Sequence, residues 1–218
     1  MKKLLVLLMV LVMSVSILSS CKKEKENKED DDKEIVESIV CTYIECIFNA
    51  DNAAGEFVAE GTGYLSFTDK TISNNKEMFA LFENVSTIPE DRIEEVEKIR
   101  VEALEKYIMM FDYKIKDVEV DGDKAKVTVK LTAPDVSELQ KYKDYADEES
   151  KKGFSQEEVQ NISSVENVVD IPKETFLKAE KLWFEAFIKN VGDSVSEKEI
   201  TYELKLTEYG WLITGEKN

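Results

Sequence analysis

Three cysteines, Cys21, Cys41 and Cys46, are the only thiols of this 218-residue chain, and histidine is absent altogether. Without an imidazole, neither Ser-His-Asp nor Cys-His catalysis is available, and the usual histidine-containing zinc sites are excluded as well. Carboxylates remain, and they serve as general acids and bases or as calcium ligands. An enzyme is therefore disfavoured but not ruled out, and no cofactor or metal is expected. Cys41 and Cys46 fall in a stretch that reads as one helix, which separates them by about 7.5 Å along the axis and roughly 140° around it. That is too wide for a bridge within the helix. Both read as free, half-buried thiols acting as small apolar residues.

Cys21 has a different setting. Met1-Lys2-Lys3 supplies a basic start, and Leu4 to Leu18 is apolar except for Ser14 and Ser16. Small residues, Ser19 and Ser20, then lead into the cysteine. This is the layout of a secretory signal. It is shorter than the roughly 20 apolar residues a membrane-spanning helix needs, and it ends against charge. Leu18-Ser19-Ser20-Cys21 resembles the bacterial lipobox at all four positions. The resemblance implies cleavage between Ser20 and Cys21, a diacylglyceryl group on the Cys21 thiol, and a cell-membrane location on the extracytoplasmic face. Two acyl chains hold a soluble domain on a bilayer where one would exchange.

The division expected along the chain is residues 1–20 as signal, 21–34 as lipidated cysteine with a charged, disordered tether, and 35–218 as one α+β domain. From Lys22 to Glu34 every residue but Asn27 is charged, so the segment has no apolar surface to bury. Removing residues 1–20 leaves 27 basic against 46 acidic side chains, a net charge of −19. Phosphate backbones repel such a surface, and nucleic acid is not an expected partner. Anionic lipid headgroups repel it too, so the membrane is reached through the anchor.

The elements that must position any site follow from periodicity. Val36, Ile39, Val40, Tyr43, Ile44, Ile47 and Phe48 recur at spacings of three and four, predicting an amphipathic helix from Ile35 to about Asn49. From Gly55 to Asn75 the pattern is mixed, with Tyr64 and Phe67 in a short strand or a loop. Helices are expected over Lys76–Phe82 and Pro89–Phe111. The second of these has a Thr87-to-Glu90 capping box and an inward stripe of Ile93, Val96, Ile99, Ala103, Leu104, Tyr107, Ile108 and Phe111. Alternation around Asp121-Gly122 predicts a β-hairpin. The same stretch mimics the start of a calcium loop, but Thr128 stands where a bidentate glutamate is required. Further helices are expected at Ser137–Glu149, Ser155–Ser163 (with a Ser155–Glu158 capping box) and Lys173–Asn190, the last stopped by Gly192. A second hairpin turns at Glu208-Tyr209-Gly210.

Helices, hairpin, helices and hairpin describe an α+β fold with an antiparallel curved sheet built from two hairpins and packed by N-terminal and central helices. The hairpins at Val118–Val127 and Leu206–Ile213, with Gly210-Trp211 opening the last strand, resemble those of cystatin-like, or nuclear transport factor 2-like, bacterial lipoproteins. The resemblance covers residues 98 to 133 and 196 to 215. It implies a cone that is either packed solid or holds a small apolar ligand. Tyr107, Phe111, Trp183 and Phe187 are the aromatics expected near such a pocket, although aromatics at helical spacing also serve as plain core. The expectation is a non-catalytic module binding a small apolar ligand or a surface protein. The alternatives are a carboxylate-type isomerase or dehydratase with a buried acid, or a structural envelope component.

Overall fold

A computed structural model describes residues 28–84, 87–163 and 167–217. Cys21, Ser20 and the rest of the expected signal and cleavage site lie outside the described residues. Helix α1 (Lys28–Phe48) buries Val36, Val40, Tyr43 and Ile44 on one face. It starts seven residues before the expected Ile35, so residues 28–34 are helical where a disordered tether was expected. Lysine and glutamate are good helix formers, and acidic side chains in a first turn are favoured by the helix dipole. The extension is also held from the sheet, because Asp32 Oδ1 accepts from Trp211 Nε1 at 3.4 Å.

The four strands, β1 (Asp112–Asp121), β2 (Lys124–Ala133), β3 (Ser196–Thr207) and β4 (Gly210–Lys217), form one antiparallel sheet in chain order. The expected α+β class and hairpins are present. Gly122, at φ 61°, is the first central residue of the β1–β2 turn, a conformation glycine adopts without strain. In place of a calcium loop, Asp117, Glu119 and Asp121 sit in register opposite Thr128, Lys126 and Lys124. Ala125, Val127 and Val129 face the same side as Ile200, Tyr202, Leu204, Trp211 and Ile213, and α1 covers that side. Two bulges, at Lys116 on β1 and Thr214 on β4, shift the register and bend the sheet.

The mixed segment is a helix. Helix α2 (Tyr64–Glu83) absorbs both the expected strand or loop and the short helix placed at Lys76–Phe82. Its first half packs Tyr64 and Ile72 into the sheet cluster, and its second half packs Met78 and Phe82 into a separate cluster of helices. That second cluster joins α3 (Ile93–Ile108), α4 (Leu139–Lys151) and α6 (Lys173–Asp193) through Ala103, Tyr107, Tyr142, Phe184 and Phe187. Helix α5 (Gln156–Ser163) starts with the expected capping box: Ser155 N donates to Glu158 Oε2 at 2.7 Å, and Glu158 N to Ser155 Oγ at 3.2 Å.

Three details differ. The start of α3 is a single 3-10 turn at Glu90–Arg92 capped by Pro89, with no side-chain cap from Thr87. Helix α6 runs through Gly192 to Asp193, and Ser194 caps it. The inward stripe of α3 is rotated: Arg100 is buried, whereas Ile108 is 45% exposed. Arg100 reaches that position with its charge matched, since its Nε and Nη2 donate to Glu180 Oε2 at 3.2 and 3.0 Å.

Candidate functional site

A cavity of about 440 Å³ opens where β2 and β3 run past the end of α1. Its floor is the inward face of those strands, with Leu131, Ala133, Ser196, Lys198, Ile200 and Tyr202. One wall is the C-terminal end of α1, with Tyr43, Ile47 and Phe48, and the other is α2, with Phe67, Lys70, Thr71, Asn74 and Asn75. Phe111 and the turn at Pro134–Ser137 close the far side. The volume lies within the range of small-molecule sites, and the aromatic lining with a few convergent polar groups has their chemistry. A second depression, about 470 Å³, flanks the hairpin end of the sheet. It has no aromatic lining, and Lys126 there pairs with Glu119 at 4.0 Å.

Among the lining residues of the first cavity is a buried amide, Asn75, 2% exposed. Its Nδ2 donates to the Ile47 carbonyl at 2.6 Å, a second donor beside Ala50 N at 3.2 Å. Its Oδ1 is buried without a partner. A buried acceptor left unmatched costs about 1–3 kcal/mol.

Beside it stands a tyrosine cluster. Tyr43 OH and Thr68 Oγ1 are 3.1 Å apart, and Thr68 Oγ1 donates to the Tyr64 carbonyl at 3.1 Å. The Tyr202 ring meets Tyr43 edge-on at 5.7 Å. Tyr64 OH donates to Glu216 Oε2 at 2.9 Å. Glu216 reaches the cavity because of the Thr214 bulge. Ile213 faces inward, and without the extra residue the alternation would send Glu216 out; with it, Glu216 pairs with inward-facing Tyr202. Burial raises the phenols of Tyr43, Tyr64 and Tyr202, so all three stay protonated donors at neutral pH.

The acid–base alternative needs a buried carboxylate held protonated. Among the described residues no Asp or Glu is buried. At the cavity, Asp135 is held below the usual carboxylate range, first by the Ser137 hydroxyl. The thiols are equally unsuited to attack: Cys41 and Cys46 are free and half-buried, and burial raises both. No cluster of three or more metal-ligating side chains occurs among the described residues.

Of the four aromatics expected near a pocket, the structure brings only Phe111 to the cavity, where it packs on Phe48 at 4.7 Å. Tyr107 and Phe187 are fully buried in the helical cluster, and Trp183 stacks on Phe187 at 5.1 Å. These three are core, because their helices pack on each other and not over the sheet. Sequence reading missed Asn75, Tyr64 and Glu216 as site residues. Of the polar lining, Tyr43 carried a signal as part of the apolar stripe of α1, and Tyr202 through the in–out alternation of the second hairpin.

No protein-family model matches the chain, and no curated protein matches it. Among solved structures, a candidate lipoprotein, YcdA, from Bacillus subtilis is 16% identical, covering 84% of this chain and 53% of that one, with a TM-score of 0.36. The chain thus spans about half the length of that protein. A superposition this loose carries no argument about fold or function. No helix among the described residues is long and apolar enough to cross a membrane.

Proposed function

We propose that the chain is an extracytoplasmic lipoprotein, anchored through Cys21, whose cavity between α1, α2 and the sheet binds a small molecule without transforming it. The observation that carries the binding reading is the cavity itself, about 440 Å³, with Phe48, Phe67 and Phe111 in its lining beside the polar Tyr43, Asn74 and Tyr202. A concave, largely aromatic lining with a few polar groups is the usual form of a small-molecule site. The anchor rests on the Leu18-Ser19-Ser20-Cys21 run after the apolar stretch. Seven residue steps, at most about 25 Å, separate Cys21 from the start of α1, and the cavity lies at the other end of that 21-residue helix, about 30 Å further on. The cystatin-like reading belongs here too: it is supported by a bent antiparallel sheet with helices on one face and a cavity where the cover ends.

The test is a fluorescence titration of the purified domain with N-phenylnaphthylamine, an uncharged aromatic amine. Saturable one-site binding is expected. Thr71→Trp, which places an indole in the cavity from the outer half of α2, should weaken it at least about tenfold while leaving the fold intact. Absence of saturable binding, or binding that Thr71→Trp leaves untouched, would overturn the reading.

A further inference from the structure

The two ends of the sheet differ, and the described chain enters at one of them. Helix α1 begins at Lys28 beside the hairpin turns, where Trp211 Nε1 donates to Asp32 Oδ1 at 3.4 Å. It finishes at the opposite end of the sheet, where Phe48 meets Phe111 and Tyr113 at the start of β1 and the cavity opens. Tyr209 lies two residues before Trp211, in the turn between β3 and β4, so that turn and the entry of the chain are neighbours.

Tyr209 is also the most exposed large apolar side chain among the described residues, at 84%. The turn is braced around it: Thr207 Oγ1 accepts from Tyr209 N at 3.1 Å and donates to the Gly210 carbonyl at 2.8 Å. Leu206, just before the turn, and Ile35, seven residues into α1, are exposed at the same end. A phenol combines an apolar ring with a polar tip, the form enriched where a membrane meets water.

Given the Cys21 anchor proposed above, on which this inference rests, we propose that the β3–β4 turn sits in the headgroup layer of the anchoring membrane, Tyr209 foremost, with the cavity turned to the aqueous side. At most about 25 Å of chain separates Cys21 from Lys28, so a lipid on Cys21 keeps the turn within reach of the bilayer surface. One ring is a weak membrane contact alone. Tied to an anchor the contact becomes intramolecular, and a weak one then suffices to set orientation. The fitting surface is zwitterionic: the two hairpin turns carry Asp121, Asp123 and Glu208 against Lys124 and Lys205, and anionic headgroups repel the excess. The cavity, at the far end of α1, then takes its ligand from the aqueous space and not from the bilayer beneath.

The test is fluorescence of the lipidated full chain in phosphatidylcholine vesicles whose acyl chains carry bromine just below the headgroups, read as the emission added to that of Trp183 and Trp211. Bromine quenches an indole that enters the headgroup layer. The indole added by Tyr209→Trp should be quenched at least about twofold relative to unbrominated vesicles. Met109→Trp puts the same indole at an equally open site, 82% exposed, on the cavity side of the sheet, and bromine should leave its emission unchanged. Replacing half of the lipid by phosphatidylglycerol should reduce the quenching at position 209. With the protein floating on the vesicles, no quenching at 209, equal quenching at both sites, or quenching that phosphatidylglycerol increases would overturn the docking and leave the anchor standing. A protein that does not float with the vesicles would overturn the anchor, and the docking with it.

Discussion

Asn75 uses only half of its amide, and mutation tests what that half is worth. Leucine is close in shape, removes the unmatched Oδ1, and removes the donor to Ile47 O, which still accepts from Ala50 N at 3.2 Å. Replacing a half-satisfied polar group by an apolar one of similar shape is nearly neutral. Asn75→Leu should therefore change stability in urea by no more than about 1 kcal/mol. A loss well above that would show that the bond from Asn75 Nδ2 to Ile47 O is what ties α2 to the end of α1. The phenols make a second prediction. Tyr43, Tyr64, Tyr107 and Tyr202 have folded-state pKa values raised by burial above the unfolded value of about 10, so their contribution is complete below that pH and lost above it. Stability should hold level to about pH 10, then fall by up to about 1.4 kcal/mol per pH unit for each tyrosine kept protonated. Tyr64→Phe should shallow that fall. Urea midpoints and tyrosinate absorbance check it, and tyrosinate forming near pH 10 in the folded chain for all eight tyrosines would contradict it.

At the scale of elements, the site was hidden by the same features that build it. The buried stripe of α2 is Tyr64, Thr68, Ile72, Asn75, Met78 and Phe82, spaced as a helix face. Two of the six are polar, Thr68 to bridge Tyr43 and Tyr64, and Asn75 at the cavity, so hydrophobic periodicity could not find the first half of the helix. Glu216 was hidden by the bulge at Thr214, which reverses the in–out alternation of β4. By contrast, α1, both hairpins and the capping box of α5 were legible, because their apolar spacing, glycine turns and Ser-to-Glu spacing are local signals. Arg100 was misplaced for a tertiary reason: its partner Glu180 is eighty residues away, on α6. Its guanidinium also lies over the Phe184 ring, 5.4 Å from the centroid. Arg100→Leu leaves a partly covered carboxylate unmatched between α3 and α6. It should cost about 2 kcal/mol in urea, below the range for fully buried pairs because both partners keep some solvent. A loss within about 0.5 kcal/mol would show the pair to be a surface one.

For the whole molecule, net charge and the proposed anchor bear on each other. A chain this acidic is repelled by anionic lipid headgroups, so the proposed anchor at Cys21 would be what keeps it at a membrane. The most direct measurement is native mass spectrometry of the protein released in mild detergent from the membranes of its own host, beside the Thr71→Trp variant. The account predicts a chain that begins at a diacylglyceryl-modified Cys21 and carries a small molecule that the variant lacks. A chain retaining residues 1–20 or bearing an unmodified Cys21 would contradict the anchor, and identical ligand-free masses for the two proteins would contradict the binding site.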